Sequence, residues 1–212
     1  MKYKLICFDM SGVIFEPVNF WLELHKAFGT LEKGKALTAK YLHKDYDRLV
    51  EEVVVVKLWK GKYAKPYYNL VKSLKYLSGV KKAFDYVKKK GFITAIISAS
   101  SIECARRVQK DFGIDHIFAN ELVIKKGKVS GEFIWPIGAG KHKKADIIKD
   151  LCRDLGIKTK ECIYIGDSES DLEAFKEVGL SIAFNSDSKE LKKAATHAVN
   201  SKNLADVIKY IQ

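Results

Sequence analysis

The stretch Leu5-Ile-Cys-Phe-Asp9-Met-Ser11-Gly12 decides how this chain is read. Tyr3–Phe8 is a short apolar run, and it stops abruptly at an acid. That pattern predicts a parallel strand buried on both faces, with the acid at its carboxyl end. Gly12 and Pro17 punctuate the chain just beyond.

Working outward, two later segments repeat the theme. Phe92–Ile97 predicts a strand ending at Ser98-Ala99-Ser100-Ser101, and Cys162–Ile165 one ending at Gly166-Asp167-Ser168-Glu169-Ser170-Asp171. Helices are predicted over Val80–Lys90, Ile102–Phe112, Lys144–Leu155, Asp171–Val178 and Asn203–Ile211, several stopped by glycine. Leu180–Phe184 reads as another strand, and Lys126-Gly127 as the turn of a hairpin between Glu121–Lys125 and Lys128–Phe133. Strands alternating with helices imply a parallel sheet with right-handed crossovers.

Phe20 to Leu77 breaks that alternation. Phe20, Leu24 and Ala27, then Tyr46, Leu49 and Val53, then Tyr67, Leu70, Val71 and Leu74 fall at helical spacing. Gly29, Gly34 and Gly61 are expected to divide this region into separate helices, and Val53–Val56 is assigned to one of them because its flanks are helical. The expected architecture is a Rossmann-like α/β core of residues 1–16 and 79–212, with an all-helical cap at 17–78.

Composition narrows the function classes. The 212 residues are 47% hydrophobic and 30% charged, enough to bury a core. No run approaches the roughly 20 apolar residues of a membrane span. Asp9 cuts the N-terminal apolar segment short of a signal sequence, so a cytoplasmic protein with no membrane partner is expected. Cys7, Cys104, Cys152 and Cys162 form no CxxC pair and read as reduced core residues. The net charge of +12 comes from scattered lysines, with arginine only at 48, 106, 107 and 153. A nucleic-acid footprint would be a stripe, giving salt-sensitive duplex binding. Scattered Lys and Glu with little Gln or Met instead resemble a thermophilic surface, and no nucleic-acid partner is expected. His25, His43, His116, His142 and His197 show no ligand spacing, and Trp21 and Trp59 read first as cap core.

In open parallel sheets, ligands bind beyond the carboxyl ends of the strands. Taken singly, each polar cluster there reads equally well as a helix cap or turn. Three at separate strand ends, with Lys141, Lys143 and Lys144 opening a helix in between, point to a shared site.

Together the motifs resemble the haloacid dehalogenase superfamily of phosphohydrolases, in its phosphoserine phosphatase-like branch with a helical cap. The resemblance implies that Asp9 is a nucleophile forming an aspartyl-phosphate. It implies that Ser98, the adjacent amide of Ala99 and a lysine bind phosphate; counting back from Gly156 favours Lys144, with Lys141 and Lys143 as alternates. It further implies Mg²⁺ held by Asp9, the backbone carbonyl of Ser11 and Asp167, with Asp171 behind or bound through water. A small phosphorylated metabolite would be the substrate.

Three features depart from the family pattern. Ser11 stands where phosphatases carry an acid–base Asp, a group worth roughly 10²- to 10⁴-fold in rate. Three outcomes stay open: a slow phosphatase suited to acyl or aryl phosphates, a long-lived aspartyl-phosphate or phosphotransferase, or a protein that only binds a phosphorylated ligand. A dehalogenase also lacks that Asp, but the Gly166–Asp171 motif favours metal and phosphate. In the cap, Val18 replaces the acid that recognises an amino acid and no arginine follows Trp59–Lys62, so phosphoserine is not assigned.

Overall fold

The computed structural model describes residues 2–53, 58–139 and 141–211. A seven-stranded sheet has the order β4-β3-β2-β1-β5-β6-β7. Its strands are β1 (Leu5–Phe8), β2 (Ile93–Ser101), β3 (His116–Lys125), β4 (Lys128–Ile134), β5 (Cys162–Gly166), β6 (Leu180–Phe184) and β7 (His197–Val199). All neighbours pair in parallel except β3 and β4, which form the antiparallel hairpin.

Alternation along β1 explains why it occupies the centre. Ile6 and Phe8 point into one apolar layer with Phe84 and Val87 of α5 (Val80–Lys89). Leu5 and Cys7 point into the other, with Ile148, Leu151 and Cys152 of α7 (Lys141–Asp154) and Phe175 of α8 (Leu172–Glu177). All four cysteines are free and buried. The chain reverses its direction of winding between β1 and β5, which opens a crevice at their carboxyl ends.

Between β1 and β2 lie α1 (Phe20–Ala27), α2 (Leu31–Tyr41), α3 (Tyr46–Val50) and α4 (Lys65–Ser73). Asn19 caps α1 by accepting from the Leu22 amide, and Asp45 caps α3 through the Arg48 amide. Phe20, Leu24 and Trp59 join the same apolar layer as Phe8, so this helical segment shares a core with one face of the sheet. It is also tied along one edge: the Gly61 amide donates to Val129 O, the Val129 amide to Lys62 O and the Ala64 amide to Gly127 O, each at 2.9 Å. Arg107, on α6 (Ile102–Phe112), donates to the Val71 and Leu74 carbonyls at 2.8 Å, closing the end of α4.

Several local expectations change. Gly34 does not end a helix; it lies within α2, where the His25 ring packs so closely that an added Cβ would sit 2.4 Å from it. Strand β2 continues beyond Ser98 because pairing resumes at Ser101 and Asn120 after a register shift. β3 begins at His116, well before the hairpin, since its first half pairs with β2. The Asp171–Val178 helix is shorter, and α9 (Lys189–Ala194) and β7 are additional. The C-terminal segment Leu204–Tyr210 winds as 3₁₀ turns. Within the assignment of Val53–Val56 to a helix, residues 54–56 lie outside the described residues.

Candidate active site

Strand register places the polar ends side by side. Phe8 is level with both Ile96 and Ile165, so Asp9, Ser98 and Asp167 each follow within two residues of that level. Asp9 is held there by its amide, which donates to Ile165 O at 2.9 Å, and its Oδ1 accepts from the Met10 amide at 2.6 Å.

Lys144 bridges two of the acids. Its ammonium donates to Asp9 Oδ2 at 2.8 Å and to Asp171 Oδ1 at 2.6 Å, and the residue is wholly buried. Burial pulls its pKa down, but the Asp171 and Asp9 carboxylates outweigh that and hold it above the ordinary lysine value. Asp171 is also fully buried and accepts from the Tyr164 hydroxyl at 2.9 Å and from the amides of Asp167 and Ser168 at 3.1 Å.

Asp9, Asp167 and Asp171 each present an oxygen within 4.8 Å of the others. Three carboxylates against one ammonium leave excess negative charge in a confined space. The consequence falls on Asp167, whose pKa is pushed up to about 8 by burial and then by the charges of Asp9 and Asp171. Hard oxygen donors with uncompensated negative charge suit a divalent cation, so this donor set fits a metal of the Mg²⁺ type. Gly12 permits the arrangement: with φ +77°, an added Cβ there would meet Asp167 Oδ2 at 2.0 Å.

Ser98 is buried, and its Oγ accepts from the Ser100 amide at 3.3 Å. The Ala99 carbonyl accepts from Trp21 Nε1 and Asn120 Nδ2, both at 2.9 Å, which fixes the loop after β2. Lys143 is exposed and lines a cleft at the start of α7. Ser11 does not aim its side chain at the acids. Its Oγ donates to Val18 O at 2.7 Å and accepts from the Val18 amide at 2.9 Å.

Two supporting residues carried no sequence signal of their own. Tyr164 sits within an apolar strand and reaches Asp171 across it. Buried Asn120 binds Ala99 and Gly138 with its amide nitrogen and the amides of Ile137 and Gly138 with its oxygen.

Beside the loop after β2 lies a cavity of about 200 Å³. Trp21, Trp59, Phe133 and Leu49 line it with Asn19 and Ala99. Trp59 and His25 are buried in this wall rather than exposed in it, and burial pushes the His25 imidazole down to about 4, keeping it neutral. A second cleft of about 400 Å³ shares Leu42, Tyr46, Gly138 and Ala139 with the first and carries the exposed Lys44, Asp47, His142 and Lys143 at its rim.

The haloacid dehalogenase-like hydrolase profile matches residues 3–179. The chain belongs to that family of hydrolases. Among curated relatives, a phosphoserine phosphatase of Methanocaldococcus jannaschii is 24% identical over 100% of this chain and 99% of its own. One of Saccharomyces cerevisiae is 29% identical over 97% of this chain and 66% of its own. A solved phosphoserine phosphatase described as a phospho-aspartyl intermediate analogue matches with a TM-score of 0.83 at 24% identity, covering 100% of both chains. A substrate-bound phosphoserine phosphatase complex matches with the same score at 23% identity over the same coverage. These likenesses establish the fold. Among the described residues, no helix is long and apolar enough to cross a membrane.

Proposed function

We propose that the protein is a Mg²⁺-dependent phosphomonoesterase in which Asp9 is the nucleophile. The observation that carries this reading is the buried Lys144 ammonium shared by Asp9 and Asp171, with Asp167 beside them at the crevice between β1 and β5. Asp9, Asp167 and the Ser11 carbonyl would hold the ion, with Asp171 behind them or bound through water. When bound, such an ion screens the charge of a phosphate against an attacking carboxylate.

The chain's own groups do the rest. Ser98, the Ala99 amide and Lys144 receive the outer phosphate oxygens, where fixed donors stabilise the charge of the transferring group. The Asp9 carboxylate attacks phosphorus; its bond to phosphorus forms as the bond to the leaving oxygen breaks, and that oxygen departs with the electron pair. Water then attacks the phosphorus and gives up a proton to solvent, the bond between phosphorus and the Asp9 oxygen breaks, and Asp9 returns as a carboxylate while phosphate leaves. The helical segment 17–78 covers the crevice and limits water.

The relatives are named for phosphoserine, and a small phosphomonoester is the substrate class we infer. Phosphoserine itself is not assigned, since Val18 and the Trp59–Lys62 segment supply neither an acid nor an arginine. The Ser11–Val18 pairing favours a second reading alongside: without a base to activate water, phosphorylated Asp9 persists, and mass spectrometry of acid-quenched protein would detect it. The principal test is hydrolysis of p-nitrophenyl phosphate with Mg²⁺. Activity that disappears in Asp9→Asn is expected, and equal rates for the two proteins would overturn the reading.

A further inference from the structure

We infer that the site selects phosphate esters of aromatic hydroxyl groups, with the ring seated against Trp21 and Phe133 in the cavity that Trp59 backs. This rests on the phosphomonoesterase reading above and names its substrate class.

The aromatic cavity adjoins the proposed phosphate site through Ala99. Ala99, which lines the cavity, directly follows Ser98, and Asn19, also in its lining, directly follows the Val18 that Ser11 binds. Trp21 belongs to both, since its indole N–H holds the Ala99 carbonyl at 2.9 Å. A phosphoryl group held by Ser98 and the Ala99 amide would place its ester substituent beside the cavity that Ala99 and Trp21 line. Trp21 and Trp59 stand 6.2 Å apart between ring centroids, and Phe133 meets Trp21 edge-on at 5.2 Å. Such surfaces favour another ring by offset or edge contact. The size also fits: a dry apolar cavity of about 150 Å³ holds benzene, and this one is about 200 Å³.

The described lining favours an apolar substituent over a zwitterionic one. Among the described residues, the cavity lining contains no Asp, Glu, Lys or Arg. Its single histidine, His25, hydrogen-bonds Thr30 Oγ1 at 2.8 Å and packs at a tilt against Trp59, ring centroids 4.5 Å apart. An ammonium and a carboxylate placed there would each be desolvated without a partner, which is costly. The ionic side chains of the neighbouring cleft, which shares Leu42, Tyr46, Gly138 and Ala139 with this cavity, are exposed to solvent.

The chemistry points the same way. With Ser11 Oγ engaged by Val18, no side chain at that position protonates the leaving oxygen. An alkoxide leaves poorly without such help, whereas an aryl oxide stabilises its electron pair in the ring and takes its proton from solvent. Acid-free cleavage and an aromatic pocket thus suit one substrate.

Two measurements on the intact protein test this. First, benzylphosphonate and methylphosphonate, which cannot be hydrolysed, are titrated with Mg²⁺ while tryptophan fluorescence is followed. Benzylphosphonate should bind at least about tenfold tighter, the scale of burying one phenyl ring, and should perturb the emission. Ala139→Leu, which fills the cavity, should shrink that ratio. Equal affinities, or tighter binding of phosphoserine, would overturn the inference. Second, rates are compared for phenyl phosphate, glycerol phosphate and acetyl phosphate, the last needing neither ring nor acid. A preference for phenyl over glycerol phosphate of about 10²-fold or more is expected, the lower scale of general acid catalysis. Asp9-dependent hydrolysis of acetyl phosphate without an aryl preference sinks this inference alone. Absence of Asp9-dependent hydrolysis of any ester or acyl phosphate sinks the phosphomonoesterase reading instead.

Discussion

Ser11 and Val18 form a closed pair: the serine hydroxyl donates to the Val18 carbonyl at 2.7 Å and accepts from the Val18 amide at 2.9 Å. The link fastens the loop after β1 to the residue that precedes the α1 cap. A position that resembles an acid–base site in sequence therefore serves here to anchor the entry into the helical segment.

Replacing that hydroxyl separates structure from chemistry. Ser11→Ala should lower stability by about 1–3 kcal/mol, since both Val18 groups lose a partner. Its rate on p-nitrophenyl phosphate should stay within a few-fold of wild type. Ser11→Asp should raise the rate on glycerol phosphate by about 10²- to 10⁴-fold, the range of a general acid, and help an aryl ester far less. Steady-state kinetics on both esters and urea unfolding measure these effects. Equal gains on the two esters would contradict the assignment.

The buried lysine makes a second prediction. Lys144→Met leaves Asp9 and Asp171 without their shared ammonium. Removing one partner of a buried ion pair typically costs about 3–5 kcal/mol. The unfolding free energy without divalent metal should fall on that scale, and phosphatase activity should be lost. An exposed neighbour, Lys143→Met, should change stability by less than about 0.5 kcal/mol.

Metal binding should appear as stabilisation. A ligand present at 100 times its dissociation constant adds about 2.7 kcal/mol to the folded state. For a chain of this length that corresponds to a rise in Tm of about 5–10 °C. Thermal unfolding with and without MgCl₂ checks this, and Asp167→Asn should abolish most of the increment. An equal increment in both proteins would place the ion elsewhere.

Acid sensitivity should trace partly to His25. Burial lowers this imidazole from 6.5 to about 4, so the unfolded chain takes up its proton first as pH falls. The neutral ring's contribution is complete above pH 6.5 and is lost as pH drops towards 4. The displacement, at 1.36 kcal/mol per pH unit, amounts to about 3 kcal/mol. His25→Gln should therefore show a flatter dependence of unfolding free energy between pH 6.5 and 4. An unchanged slope would show that His25 charges freely in the folded state.

Much of the site was legible because its chemistry is written at strand ends. Asp9, Ser98 and Asp167 each follow an apolar run, and the pairing of β1 with β2 and β5 brings those ends level. Lys144 was less distinct among its neighbours, because helix α7 begins at Lys141 and three lysines share its first turn. Only the helix's rotation selects the one pointing inward; Lys143 turns to solvent and Lys144 is fully buried. Tyr164 was hidden because an aromatic in an apolar strand reads as core, and it is core except for its hydroxyl.

The amino-acid sequence by itself determined the alternation of strands and helices, the insertion between β1 and β2, and the residue types that gather at the sheet's carboxyl edge. Periodicity and short motifs are local, so they survive without knowledge of what they touch. The three-dimensional packing decided that Gly34 continues a helix, that Ser11 ties down Val18, and that Trp21 and Trp59 wall a cavity beside Ala99. Those outcomes depend on which remote atoms come within a few ångströms, and no spacing along one chain encodes that directly.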